Sequence, residues 1–256
     1  MATDPVLDGT VALVTGASSG IGEATARRLA AEGAAVAVAA RRFDRLERLA
    51  REIEDAGGRA LAIESDVTDR AQAEALVERT VAELGRLDTV VNNAGVMLLG
   101  PAEGASIEEW DRMVDINLKG LLYVAKAALP HLVRYADEAP RMVTDMVNIS
   151  SVAGRRTRPG SAVYNLTKHG VGAFSDALRQ EVTERHVRVS LVEPGAVTTE
   201  LASHNRPEVQ EAMKARFGEI ERLEADDIAD AIAYVVTRPR HMAVNEILVR
   251  PTEQQG

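Results

Sequence analysis

The sequence predicts an α/β fold of the doubly wound kind, a parallel sheet with helices on both faces. Two observations predict it. Short β-branched runs alternate with stretches of helical period along the chain, and that alternation makes a parallel sheet covered by helices. Several of the runs are apolar at nearly every position, as strands buried on both faces must be. Right-handed crossovers then wind the helices onto both sides. Ligands of such sheets sit beyond the carboxyl ends of the strands, where the strand order reverses.

The strand candidates are residues 11–15, 35–39, 60–64, 89–91, 142–149, 187–192 and 246–249. Helical periods fall between them, at 45–55, 71–84, 108–132 and 161–184. Only 3% of the 256 residues are aromatic, so Val, Leu, Ile and Ala must build the core. The net charge of -9 gives no broad attraction for nucleic acid or an anionic membrane. The absence of cysteine removes disulfides, thiolate metal sites and cysteine nucleophiles, and fits a reducing cytoplasm, the expected location. The five histidines, at 131, 169, 186, 204 and 241, show no metal-ligand spacing, so no metal is expected. The first eight residues are acidic with no apolar core, so no signal peptide is expected. No stretch is long and apolar enough to span a bilayer.

The first strand runs into Thr15, Gly16, Ala17, Ser18, Ser19, Gly20, Ile21 and Gly22, with a helix expected from about Glu23. Gly16 permits the tight turn, Gly20 lets the backbone approach a pyrophosphate, and Gly22 lets the helix pack on the sheet. Free N–H groups and the helix dipole at that point favour phosphate. Between a clear strand and a clear helix, the glycine triplet points to a dinucleotide. The same residues also spell Gly-x-Ser-x-Gly, which would make Ser18 a hydrolase nucleophile with His241 and Asp226 as partners. Too little chain precedes Ser18 to supply that fold's oxyanion N–H.

After the second strand stand Arg41 and Arg42, where an acidic residue would bind a ribose 2′-hydroxyl. Two guanidiniums suit a 2′-phosphate instead, so the cofactor reads as NADP(H) rather than NAD(H). Asp66, after the third strand, is placed either to hydrogen-bond the adenine amino group or to cap the next helix.

Tyr164 and Lys168 lie at i and i+4, on one face if 161–184 is helical, while Phe174, Leu178 and Val182 point elsewhere. A phenol of pKa about 10 carries protons poorly at neutral pH. A neighbouring ammonium favours the phenolate and makes the pair a usable acid and base. Ser151 ends the run 147–151 at the carboxyl end of the fifth strand candidate, where its hydroxyl can hydrogen-bond a substrate carbonyl as charge develops. Asn117 sits in an apolar helical run, a poor place for asparagine unless its side chain has a specific partner. Asn92, Asn93, Ala94 and Gly95 form another turn, after the fourth strand.

Taken together, the 15–22 turn, Asn92 to Gly95, Asn117, Ser151 and Tyr164-x-x-x-Lys168 resemble the short-chain dehydrogenase/reductase family, in its order and spacing and over essentially the whole chain. The resemblance implies a seven-stranded Rossmann sheet in one domain over 1–256, with a cofactor half near 1–140, a catalytic part near 141–256 and a lid near 198–220. It implies that Tyr164 is the proton donor, that Ser151 orients the carbonyl, and that Lys168 binds the nicotinamide ribose and tunes Tyr164. Asn117 would hold a relay water. Val67 and Asp66 would line the adenine end, and Pro194, Gly195, Val197 and Thr199 the nicotinamide end. A homodimer or homotetramer through helices near 106–134 and 161–184 is implied too. Residues 39–42, 97–101, 178–182 and 245–252 resemble the clavulanate dehydrogenases and bacterial NADP-dependent 3-hydroxy acid dehydrogenases within the family. Segment 135–145 is longer and more polar than the family pattern, so a surface insertion distant from the chemistry is expected there.

The pocket is expected between Met97, Leu98, Val152, Ala153 and the segment 200–217, with His204 able to touch substrate. Arg155, Arg156 and Arg158 follow Ser151, and Arg155 is the first candidate to bind a substrate carboxylate. The expected activity is carbonyl reduction, or the reverse alcohol oxidation, on a small metabolite, with carboxylate-bearing compounds and those of antibiotic or other specialised metabolism among the candidates. Its rivals are hydrolysis at Ser18 and a non-catalytic dinucleotide sensor. A sensor has no need of Asn117, Ser151, Tyr164 and Lys168 together.

Overall fold

The computed structural model describes residues 5–138, 140–218 and 220–254, without the side chains of Met213, Arg216 and Phe217. The strands are β1 (Val11–Thr15), β2 (Ala35–Ala40), β3 (Arg59–Glu64), β4 (Thr89–Asn92), β5 (Thr144–Ile149), β6 (Val187–Pro194) and β7 (Glu246–Val249). The helices are α1 (Gly20–Ala31), α2 (Phe43–Asp55), α3 (Arg70–Leu84), α4 (Ile107–Val114), α5 (Leu121–Tyr135), α6 (Ala162–Val182), α7 (Pro207–Phe217) and α8 (Ala225–Val236). All seven strands form one parallel sheet in the order β3-β2-β1-β4-β5-β6-β7. The order reverses between β1 and β4, the point where ligands of such sheets bind.

The two-residue period of the strands sorts the core. Ala12, Val14, Val36 and Val38 pack with Leu29 of α1, Leu46, Leu49 and Ile53 of α2, and Ile228 and Ile232 of α8. The alternate residues Leu13, Ala37 and Ala39 pack on the other face with Leu76 and Val77 of α3, Val124 and Leu132 of α5, and Leu178 and Val182 of α6. Both faces are thus covered, as the unbroken apolar runs require.

Four segments differ from expectation. Helix α1 begins at Gly20, three positions before Glu23, so the glycine turn itself is the helix N-terminus. The fifth strand starts at Thr144, because Met142 has φ 54, a left-handed conformation that no strand residue adopts. The stretch 108–132 is three pieces, with a π-helical turn, Asp115–Gly120, between α4 and α5. Segment 135–145 is not a surface insertion: Tyr135, Ala136, Val143, Thr144 and Asp145 are buried, and only its tip is exposed. It lies at the amino end of β5, remote from the carboxyl ends that hold the site.

Asp145 anchors that amino end. Its side chain is fully buried and accepts from Arg141 Nη1 at 2.9 Å and from Arg188 Nε and Nη2 at 2.7 and 2.9 Å. Both arginines are nearly buried themselves. Asp145→Asn leaves two buried guanidiniums without their counter-ion, which costs about 3–5 kcal/mol. A urea midpoint lowered by that energy divided by m, with m itself and turnover per folded molecule unchanged, is the expected result.

Candidate active site

A cavity of about 1390 Å³ opens along the carboxyl ends of the strands and runs from the β1–α1 and β2–α2 turns to Tyr164 and the lid. It is lined by the expected residues Gly16, Ser18, Ser19, Gly20, Ile21, Arg41, Arg42, Asp66, Val67, Asn93, Ala94 and Gly95 at one end. Met97, Ser151, Val152, Ala153, Tyr164, Lys168, Pro194, Gly195, Val197, Thr199 and His204 line the other. Leu98, expected there, is instead packed among Val96, Met113 and Tyr164, and Leu99 takes its place in the wall. Gly22 and Asn117 lie behind the wall and shape it.

The glycine turn cannot carry side chains. Gly16 has φ 66, and a Cβ there would stand 2.8 Å from the Ala94 backbone. A Cβ on Gly22 would lie 2.5 Å from both Asn93 Nδ2 and the Gly16 carbonyl. Asn93 is what brings the two turns so close, donating from Nδ2 to the carbonyls of Thr15 and Gly16 at 2.9 and 3.2 Å. Thr15 Oγ1 accepts in return from the Asn93 and Ala94 N–H groups, each at 3.1 Å. Thr15, which the sequence marks only as the start of the turn, is thus the partner of Asn93. The result is a backbone-lined cradle at a helix N-terminus, which fits a pyrophosphate.

Arg42 reaches across to that cradle. Its Nε donates to Ser18 Oγ at 3.1 Å and its Nη2 to Ser18 and Ser19 Oγ at 2.9 and 2.8 Å. A cation fork beside two hydroxyls fits a phosphate at the ribose end of a dinucleotide. Arg41 Nη1 stands 3.9 Å from Asp66. Asp66 does not cap α3. Its Oδ1 accepts from Thr68 N and Oγ1 at 3.0 and 2.8 Å, and the cap is Asp69, which accepts from Gln72 N. Ser18 is not placed as a nucleophile, since its hydroxyl faces Arg42. His241 lines a separate small cavity with Val143 and Val187, at the amino ends of the strands and so across the sheet from Ser18.

At the other end, α6 presents Tyr164 and Lys168 from one face, both buried. The Tyr164 phenol lines the same end of the cavity as Ser151, which caps the short turn after β5. Ser151 Oγ also accepts from Ala153 N at 3.1 Å and lies 3.4 Å from the Pro194 carbonyl. Burial pushes the Tyr164 phenol up to about 12, against a smaller lowering by Ser151. The expected lowering by Lys168 is therefore not the governing effect. The Lys168 Nζ stands 5.8 Å from the tyrosine ring centre and donates to the Ile149 carbonyl at 2.9 Å. Burial in turn pushes Lys168 down to about 8.

Asn117 has the specific partners its setting demanded, but they consume its amide. Oδ1 accepts from Val96 N at 2.8 Å, and Nδ2 donates to the Val96 carbonyl and Thr167 Oγ1 at 2.9 and 3.2 Å. Both side-chain hydrogens are thus spent within the fold, at a π turn, an element frequent at functional sites. Below it, Asn92 Nδ2 donates to Asn148 Oδ1 at 2.8 Å, and Asn148 Nδ2 to Ser175 at 2.9 Å, a buried polar link from β4 through β5 to α6.

Arg155 lines the cavity as expected, but its guanidinium is already paired. Its Nε donates to both oxygens of the buried Glu193 at 2.8 Å, and its Nη2 pairs with Glu193 and Glu246. Asn165, unremarked in the sequence, holds the loop after Ser151 by donating to the carbonyls of Ala153 and Arg156 at 2.6 and 3.0 Å. Asn165 stands in the first turn of α6, where an asparagine is unremarkable, so nothing local marked it. The lid starts where Thr199 meets Gly20: a Cβ on Gly20, φ 56, would lie 3.1 Å from Thr199 Cγ2. His204 lines the cavity from the lid, its pKa held below the usual value by desolvation and then by Arg112. Asn205 Oδ1 accepts from Leu99 N at 2.7 Å and ties the lid to the loop after β4.

A doubly wound sheet with a dinucleotide cradle at its switch point, and a buried Tyr-Lys-Ser group beside it, defines a nicotinamide-type oxidoreductase. Residues 10–210 match the short chain dehydrogenase family, and the chain belongs to it. It is 38% identical over 249 residues to an uncharacterized oxidoreductase of Staphylococcus saprophyticus, covering 95% of this chain and 96% of that one. It is 41% identical over 251 residues to the glycine betaine reductase ATRR of Emericella nidulans, covering 97% of this chain but only 19% of that much longer protein. Among solved structures, the closed form of a serine dehydrogenase complexed with NADP+ superposes with a TM-score of 0.88 at 34% identity, covering 96% of this chain and 97% of that one. A 3-ketoacyl-(acyl-carrier-protein) reductase from Brucella melitensis, complexed with NADH, gives 0.82 at 33% identity over 95% and 98%. Both cofactor types thus occur among its relatives, and the choice between them rests on this chain's own residues. No helix among the described residues is long and apolar enough to cross a membrane.

Proposed function

We propose that this oxidoreductase reduces an aldehyde or ketone with NADPH, or oxidises the matching alcohol with NADP+. The carrying observation is the buried Tyr164, which lines with Ser151 and Lys168 the inner end of a cavity whose outer end is the cradle and Arg42. When bound, the nicotinamide supplies or accepts the hydride. Tyr164, protonated at every physiological pH, donates its proton to the carbonyl oxygen as charge builds there, and Ser151 holds that oxygen in line. Lys168 places a cation on the cofactor side of Tyr164. Val96, Leu98 and Met113 keep water from the phenol's ring. Arg42, with Arg41, grips the 2′-phosphate that distinguishes NADP(H).

The substrate reading is a small carbonyl compound bearing a carboxylate. Arg155, Arg156 and Arg158 all line the cavity and give that end of it a cationic wall. The solved serine dehydrogenase, whose substrate is a small amino acid, supports an acid of that size, and the resemblance to clavulanate and 3-hydroxy acid dehydrogenases supports specialised or hydroxy-acid metabolism. A cytoplasmic homodimer or homotetramer completes the reading, with Leu122 of α5 and Leu166 of α6 exposed on the faces that would meet.

The test is a screen of NADPH and NADH oxidation over aldehydes, ketones and keto acids. NADPH should be preferred. Arg42→Ala should weaken NADPH binding about 10- to 100-fold, the scale of a hydrogen bond to a charged group, and leave NADH binding unchanged. Equal loss with both cofactors, read by fluorescence titration, would remove Arg42 from the phosphate.

A further inference from the structure

We propose that Glu200, on the lid, is a positioning residue that holds Arg42 for the cofactor's 2′-phosphate and so ties the lid to the adenosine end of the site. The inference rests on the NADP(H) reading above. Glu200 opens the short helical turn Glu200–His204, directly after Thr199. Its two oxygens go to two different arginines: Oε2 accepts from Arg42 Nη1 and Oε1 from Arg45 Nη1, each at 2.8 Å. The other edge of Arg42 is the one that reaches Ser18 and Ser19. The guanidinium plane is thus fixed from both sides, by the glycine turn along one edge and by the lid along the other.

The pair is not there to hold the fold together. The Arg42 and Glu200 side chains are 41% and 44% exposed, and exposed pairs contribute little to stability. What the carboxylate does is geometric and local. It separates the like charges of Arg42 and Arg45, and it stops a long, flexible side chain from swinging into solvent. Arg45 and then Arg42 hold Glu200 down at about 2, so it stays charged wherever the protein is folded and active. From Glu200 the chain runs within five residues to Asn205, bonded to Leu99 in the cavity wall. One short segment therefore touches the grip on the phosphate and the wall beside the substrate.

The experiment uses the full-length protein and the variants Glu200→Gln, Glu200→Ala and Glu200→Asp. Dissociation constants for NADPH and NADH are measured by fluorescence titration, and hydrogen exchange is followed across 200–218. In Glu200→Gln and Glu200→Ala, NADPH binding should weaken about three- to fivefold, the upper end for an exposed pair, with NADH binding unchanged. Glu200→Asp should restore part of the loss. NADPH should protect 200–218 more than NADH does in the wild type, and that difference should vanish in Glu200→Ala. Tighter NADPH binding by Glu200→Ala would overturn the proposal, because the carboxylate would then be competing with the phosphate. Equal weakening of both cofactors would also overturn it, as a purely structural effect. A wild type that binds NADPH and NADH alike would overturn the cofactor reading and this inference together. A wild-type NADPH preference that persists intact in Glu200→Ala would overturn this inference alone.

Discussion

Tyr164→Phe should lower turnover of carbonyl reduction by about 10²- to 10⁴-fold, the contribution of a positioned general acid. The substitution removes one oxygen and no packing. The ring stays among Val96, Leu98 and Met113, so thermal stability and NADPH affinity should both remain near wild type. The lost atom is the proton carrier itself, and Lys168 is directed at the Ile149 carbonyl. With the phenol held at about 12, the wild-type group is fully protonated at working pH, which suits a donor in the reductive direction. Stopped-flow turnover beside a fluorescence titration separates chemistry from binding. Residual activity within tenfold of wild type would refute the role of Tyr164.

How far the sequence carried the reading depended on the range of each interaction. The central strands were legible because a strand buried on both faces must be apolar throughout; β1 carries the bounds the sequence implied, and so does β7, although its Glu246 and Leu248 are exposed. Tyr164 and Lys168 were legible because four residues is one helical turn. The π turn was hidden, since an apolar period runs through 108–132 unbroken and only Asn117 hinted at it. The start of α1 was misplaced because three glycines argue against helix until one sees that the turn is the helix N-terminus. Arg155 misled most. Its partners Glu193 and Glu246 lie 38 and 91 residues away, and nothing local distinguishes a cation that is already paired. The Arg42–Glu200 contact spans 158 residues and was out of reach for the same reason. The pKa of Tyr164 went the other way from expectation because burial, a property of the whole fold, outweighs a neighbour four residues along.

Lys168 supplies the other large effect, and it has a pH signature. Burial pushes its amine down to about 8, so it is charged below that pH and neutral above it. If its charge is what the site uses, kcat/KM for reduction should be level from pH 6 to near 8 and fall above it. Tyr164 cannot produce that limb, since it keeps its proton to about 12. Lys168→Met keeps the length of the side chain and deletes the charge. Turnover should fall by about 10²-fold or more, the scale of a lost electrostatic contact in a dry site, and the limb near 8 should disappear from what activity is left. Stability should not fall in proportion. The wild type carries the cost of desolvating a buried ammonium, which an apolar side chain of like volume avoids, while the Ile149 carbonyl loses a donor worth about 1 kcal/mol. The two nearly offset, so the thermal midpoint should move little while activity collapses. A variant that lost both together would show Lys168 acting as a structural prop. A limb near 8 that survived in Lys168→Met would place the titrating group elsewhere.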